Sequence, residues 1–160
     1  MQRVNRKKAK GPQAQASGNG ALNYCFCCGP DNAEGMHLKF GVQENDSVVR
    51  GAFRMPARYQ GSRSIVHGGI VATLLDEAMA KFNRSDQIVA PTAELRVEFL
   101  RPVPVGKKIL VEARRTARQG RNYWREGIIQ DAEGNLLARG KARFVKIGEQ
   151  RAVQTGRTRG

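Results

Sequence analysis

Along most of this chain apolar residues alternate with polar ones, and one stretch departs from that period. From Ser64 to Phe82 the apolar positions recur every three to four residues. Placed about 100° apart, Ile70, Val71, Leu74, Leu75, Ala78, Met79 and Phe82 cover half of a helix circumference. The pattern predicts one long helix over 64–82, ending in the polar run 83–87. Before it, residues 36–42 and 47–53 have strand period, joined by the polar turn Glu44-Asn45-Asp46. After it, 92–100, 107–117, 123–130 and 136–147 alternate in the same way. Pro102, Pro104 and Gly106, then 119–122, then 131–135 separate these four strands. Two strands, a helix and four strands give an α+β chain: an antiparallel sheet of about six strands curved around one helix.

The helix carries two unusual features. Gly68 and Gly69 open it, where first-turn amides lack an intrahelical acceptor and the macrodipole adds partial positive charge. With no Cβ in the way, a ligand oxygen can reach those N–H groups. Two turns on, Asp76 lies nearly opposite the centre of the apolar stripe, among Gly69, Ala72, Thr73 and Ala80. A carboxylate there costs free energy unless it is used or paired. Singly, Gly-Gly reads as a turn and a helix aspartate as a solvated residue. Together, on an otherwise apolar helix, they mark a site. Glu77 points some 100° away from Asp76 and reads as a surface or interface charge.

Length and charge narrow the frame. One domain with a sizeable core is the expectation for 160 residues. The net charge is +14. Residues 1–20 hold Arg3, Arg6, Lys7, Lys8 and Lys10 without an acid (+5), and 148–160 hold Arg151, Arg157 and Arg159 against Glu149 (+2), leaving +7 for 21–147. Both end segments are polar and read as disordered basic tails flanking the domain at 21–147. Such tails contact polyanions non-specifically, while a basic core suits a phosphate-bearing ligand. No nucleic-acid-binding motif is present. No apolar run approaches the ~20 residues of a membrane span, and the N-terminus lacks the apolar segment of a secretory signal. Cys25, Cys27 and Cys28 are odd in number and clustered, which argues against a disulfide framework and for a reducing cytoplasm. Cys25 and Cys28 have the C-x-x-C spacing of zinc sites with His37 nearby, but no second pair exists. They read as packing of an entry loop, with no metal.

At His67-Gly68-Gly69, with Asp76 nine positions after the histidine, the chain resembles hotdog-fold acyl-CoA thioesterases of the PaaI-like thioesterase superfamily. Gln60-Gly61 precede the histidine as in several members. Pro91-Thr92 and the run from Leu95 to Val103 resemble the strand after the helix. The segment Cys25-Phe26-Cys27-Cys28-Gly29, with Asn32 and Gly35-Met36-His37-Leu38, resembles the entry of one bacterial and mitochondrial subgroup. The likeness spans about 24–145. It implies a helix wrapped by the sheet, and subunits paired as a homodimer or dimer of dimers with sites built between them. It implies acyl-CoA as the substrate, with no separate cofactor because coenzyme A is part of that substrate.

The resemblance also implies roles. Asp76 is the general base or nucleophile, and the backbone at Gly68 and Gly69 polarises the thioester carbonyl. Thr92 faces the partner's carboxylate and orients it or the water. His67 fixes the loop before the helix, with a direct catalytic part as the alternative, and Gln60 and Gly61 lie on the substrate side. Some relatives carry Asn where this chain has Gly61, so water positioning here differs or falls to Gln60 and Thr92. The cations of the last three strands read as the solvent face of a sheet, with some of them candidates for coenzyme A phosphates. Tyr123 and Trp124 read as core or cross-strand pairs. The competing reading is a non-catalytic acyl-CoA-binding or regulatory hotdog module. Hotdog hydratases rank third, because their helix motif lacks His-Gly-Gly.

Overall fold

The computed structural model describes residues 22–42 and 47–150. The expected tail 1–20, most of the tail 148–160 and the turn 44–46 lie outside the described residues. The chain divides into two units between Leu38 and Lys39. In the first, residues 22–38 close on themselves. The amides of Met36 and Leu38 donate to the carbonyls of Phe26 and Cys27 at 2.8 and 2.7 Å, and Asp31 accepts from the Asn23 amide at 2.7 Å. Among the described residues, no disulfide joins the three cysteines.

The second unit contains β1 (Gly41–Val42), β2 (Val48–Arg54), α1 (Gly68–Ala80), α2 (Phe82–Ser85), β3 (Ile88–Val89), β4 (Thr92–Phe99), β5 (Lys108–Gln119), β6 (Asn122–Asp131), β7 (Leu136–Val145) and β8 (Gly148–Glu149). Six strands make one antiparallel sheet in the order β1-β2-β5-β6-β7-β4, and β3 pairs with β8. α1 lies across the sheet against β5, β6, β7, β4 and β2. Leu74, Leu75, Ala78 and Met79 on its apolar stripe are fully buried, as are Ile109, Ile129 and Phe144 beneath. Each large aliphatic side chain so placed contributes about 1.5–3 kcal/mol. Where the helix comes down on the sheet, β6 and β7 pair Gly127 with Gly140. A Cβ on either would stand 3.2 or 3.3 Å from a Leu75 methyl carbon.

The strand pattern holds with shifts that have local causes. The expected strand 36–42 shortens to β1, because residues 36 and 38 bond within the first unit. The helix begins at Gly68, where the glycine pair is expected to open it, and the helical period over 64–67 is not helix. Ser64 has φ +63°, and the Val66 amide donates to the Val103 carbonyl at 2.9 Å, which holds 64–66 as a connection. The polar run 83–87 is no plain helix end, since α2 continues through Ser85. The ordered chain passes the expected boundary at Ile147 into β8, whose partner β3 was too short to carry a period.

Candidate active site

His67 caps α1. Its Nδ1 accepts the Gly69 amide at 2.9 Å, and its carbonyl accepts the amides of Ile70 and Val71 at 2.9 and 3.1 Å. A Cβ on Gly69 would lie 3.1 Å from that nitrogen, so glycine lets the imidazole fold back onto the helix. Nδ1 as acceptor puts the neutral ring's proton on Nε2. The Gly69 amide is thus engaged by the imidazole. Gly68 supplies the first-turn amide, which by its position has no intrahelical acceptor.

The loop before the helix is built around the same histidine. The His67 amide donates to the Tyr59 carbonyl at 2.8 Å, and the Gly61 amide to that of Ile65 at 2.9 Å. Gln60 Oε1 accepts the Ser64 amide at 3.3 Å. A Cβ on Gly61 would stand 3.1 Å from His67 Cα, so that position holds the histidine's backbone close. An apolar cleft of about 340 Å³ adjoins the helix start, lined by Ile65, Val66, Val71, Phe99, Leu100 and Val103 among others. The Phe99 ring lies 3.5 Å from where a Gly68 Cβ would be, and Phe99 is 58% exposed.

Asp76 meets Thr92. The Thr92 hydroxyl, at the bulged start of edge strand β4, donates to Asp76 Oδ1 at 2.7 Å. The carboxylate is half-buried, and loss of hydration raises its pKa above the ordinary aspartate range. The Thr92 hydrogen bond pulls the other way, and the Glu77 charge adds to the rise. Glu77 itself corrects the sequence reading. It is 8% exposed and pairs with Lys81 at 2.5 Å, one turn on, rather than lying on the surface.

The predicted residues therefore gather at two places. Gln60, Gly61, His67, Gly68 and Gly69 cluster at the start of α1, and Asp76 and Thr92 lie farther along. Eight residues at 1.5 Å rise separate Gly68 from Asp76 by about 12 Å. A carboxylate and an amide that act on one carbonyl must both come within about 3 Å of it.

Sequence reasoning missed Arg125. It was grouped with solvent-face cations, yet it is 1% exposed. Its guanidinium donates to the Met79 carbonyl (2.7 Å), Asn83 Oδ1 (2.8 Å) and Asp86 Oδ2 (2.9 Å), and sits among the rings of Phe82, Tyr123 and Phe144. Burial pushes its pKa down to about 10, still charged at neutral pH. Strand parity held the signal, since 123, 125, 127 and 129 share one face.

One long helix against a six-stranded antiparallel sheet agrees with the comparison to known families. The model of the thioesterase superfamily matches residues 64–124, from the helix entry into β6. Over these residues the chain is similar to the thioesterase superfamily. Among the superfamily's solved structures, it is similar to protein RHA08564, a thioesterase superfamily protein (TM-score 0.68, 29% identity, covering 73% of this chain and 60% of that one). The E. coli PaaI protein shares the hotdog fold (TM-score 0.61, 19% identity, 64% and 75% covered). A curated relative is the acyl-coenzyme A thioesterase THEM4 of Rattus norvegicus, 27% identical over 117 residues, covering 71% of this chain. The chain spans about half the length of that thioesterase superfamily relative. Among the described residues, no helix is long and apolar enough to cross a membrane.

Proposed function

We propose that the protein hydrolyses acyl-CoA thioesters at a site shared by two copies of the chain. The observation that carries this is the Thr92–Asp76 hydrogen bond on a half-buried helix face. It holds a single carboxylate in one orientation with Oδ2 left to act. The ~12 Å between Asp76 and the helix start in one chain supports a second copy, whose Gly68 amide comes to the same carbonyl. The similarity to an acyl-coenzyme A thioesterase supports the substrate class.

In the base role, Asp76 takes a proton from water as the water oxygen bonds to the thioester carbon. The carbonyl oxygen gathers negative charge against the Gly68 amide at the positive end of α1. The carbon–sulfur bond then breaks, and the coenzyme A thiolate leaves and is protonated. In the nucleophile role, Asp76 forms a mixed anhydride that water opens. Either way the carboxylate must be ionised, and its raised pKa makes it a stronger proton acceptor. The His67–Gly69 bond supports a structural part for the imidazole: it fixes the first turn, so that Gly68 presents its amide in one direction.

The test is thiol release from a panel of acyl-CoAs by the wild type and Asp76→Asn. Hydrolysis lost in the folded variant supports the reading. Hydrolysis retained moves the chemistry away from Asp76. Acyl-CoA bound but never cleaved by the wild type replaces the enzyme with a binding module.

A further inference from the structure

We infer that Asn83 is a positioning residue for the Thr92–Asp76 pair, acting through the Ala90 carbonyl with the Arg125 guanidinium as its anchor; this rests on the reading above that Asp76 reacts. Both polar ends of the Asn83 amide are used. Its Oδ1 accepts from Arg125 Nη1 at 2.8 Å, and its Nδ2 donates to the Ala90 carbonyl at 2.7 Å. A guanidinium only donates and a carbonyl only accepts, so a single orientation of the amide satisfies both. Arg125 Nη1 has a second hydrogen. It goes to the Met79 carbonyl at 2.7 Å, in the last turn of α1, where carbonyls run out of intrahelical donors.

These bonds close a ring. From Nη1 one branch runs to Met79 and three residues back along α1 to Asp76. The other runs through Asn83 to Ala90 and two residues on to Thr92. The branches meet where the Thr92 hydroxyl donates to Asp76 Oδ1 at 2.7 Å.

Both covalent arms are stiff. The first is helix, and the second passes through Pro91, whose ring fixes its own φ and restricts Ala90 before it. The direction of the Ala90 carbonyl therefore governs where Thr92 enters β4. That strand lies at the sheet edge and is bulged between Thr92 and Glu94, so within one chain the sheet holds Thr92 from β7 alone. Asn83 supplies the second hold. Arg125 and Ala90 are buried, which keeps water from competing for these bonds. Without the Asn83 amide the Ala90 carbonyl loses that donor, and the Thr92 hydroxyl can drift from the carboxylate.

NMR titration of isotope-labelled aspartate carboxyls in the full chain, assigned with Asp76→Asn, tests this in wild type, Asn83→Ala, Thr92→Val and the double variant. Among the described residues, Thr92 from β4 and the charge of Glu77 on its own helix act on the Asp76 carboxyl. Asn83→Ala misplaces the Thr92 donor and should raise the Asp76 pKa, as Thr92→Val does. In the double variant it should add nothing to Thr92→Val alone. With acyl-CoA, Asn83→Ala should lower kcat about tenfold with KM little changed, and move the acid limb of kcat to higher pH. Where alanine costs the fold, Asn83→Asp keeps the acceptor for Arg125 and loses the donor to Ala90. Its added charge acts with or without Thr92, so the same cycle isolates the positioning. An Asp76 pKa in Asn83→Ala equal to wild type overturns the inference. So does a shift that persists in full over Thr92→Val. If Asp76 responds to Asn83 through Thr92 but no acyl-CoA is cleaved, the positioning stands and the hydrolysis reading falls.

Discussion

Ten residues apart, Asp76 and Asp86 solve the same problem in opposite ways. Asp86 follows α2 and gives each oxygen to an arginine, one of them buried, with Asn83 alongside. Asp76 sits mid-helix, also half-buried, and receives one neutral hydroxyl. Neutralising a carboxylate on both sides ties it into the framework, where removing either partner strands a charge. Leaving it with a single donor keeps it destabilised as an anion and available to a substrate. On the proposed reading, the difference separates an aspartate that holds the fold from one left to react.

Breaking the reactive member should have the largest effect. Asp76→Asn is expected to lower kcat/KM by about 10³-fold, or ~4 kcal/mol of transition-state stabilisation, with an unchanged circular dichroism spectrum. Breaking the framework member should act on stability instead. Arg125→Met leaves Asp86 Oδ2 and Asn83 Oδ1 without their buried donor, and urea unfolding should show a loss of about 3 kcal/mol or more. Activity per folded molecule then serves as the contrast with Asp76→Asn.

Smaller changes sharpen the comparison. Thr92→Val removes the donor that lowers the Asp76 pKa, so that pKa rises further. The acid limb of kcat/KM against pH should move to higher pH, with a loss of about tenfold at its plateau. The smallest effect is on stability. Asp76 has a folded pKa above its unfolded one, so its ionisation opposes folding above both values and the penalty fades as pH falls through the folded pKa. Asp76→Asn should therefore melt higher than wild type at neutral pH, and the gap should narrow on acidification.

The fold was legible because two periods, 2 and 3.6, mark opposite packing tasks, and α1 alone follows the second. Spacing and resemblance singled out Gly68, Asp76 and Thr92 as site candidates, and the structure joins the last two by a hydrogen bond. What escaped depends on three-dimensional partners. That His67 takes the Gly69 amide is a rotamer outcome that no spacing encodes. Glu77 looked external because helical angle says nothing of the Lys81 head that accompanies it inward. Arg125 looked external because charge was weighed above strand parity, although its neighbours at 123 and 129 already faced the core.

Gly127 and Gly140 leave two gaps in the sheet's side-chain cover, and one residue, Leu75, rests over both. Leu75 immediately precedes Asp76, while Thr92 belongs to the sheet. A methyl group at either glycine would act as a shim, lifting the helix and lengthening the reach between hydroxyl and carboxylate. The clearance of α1 above the strands and the Thr92–Asp76 bond are one mechanical dimension. Variation at two positions remote from any substrate would tune it.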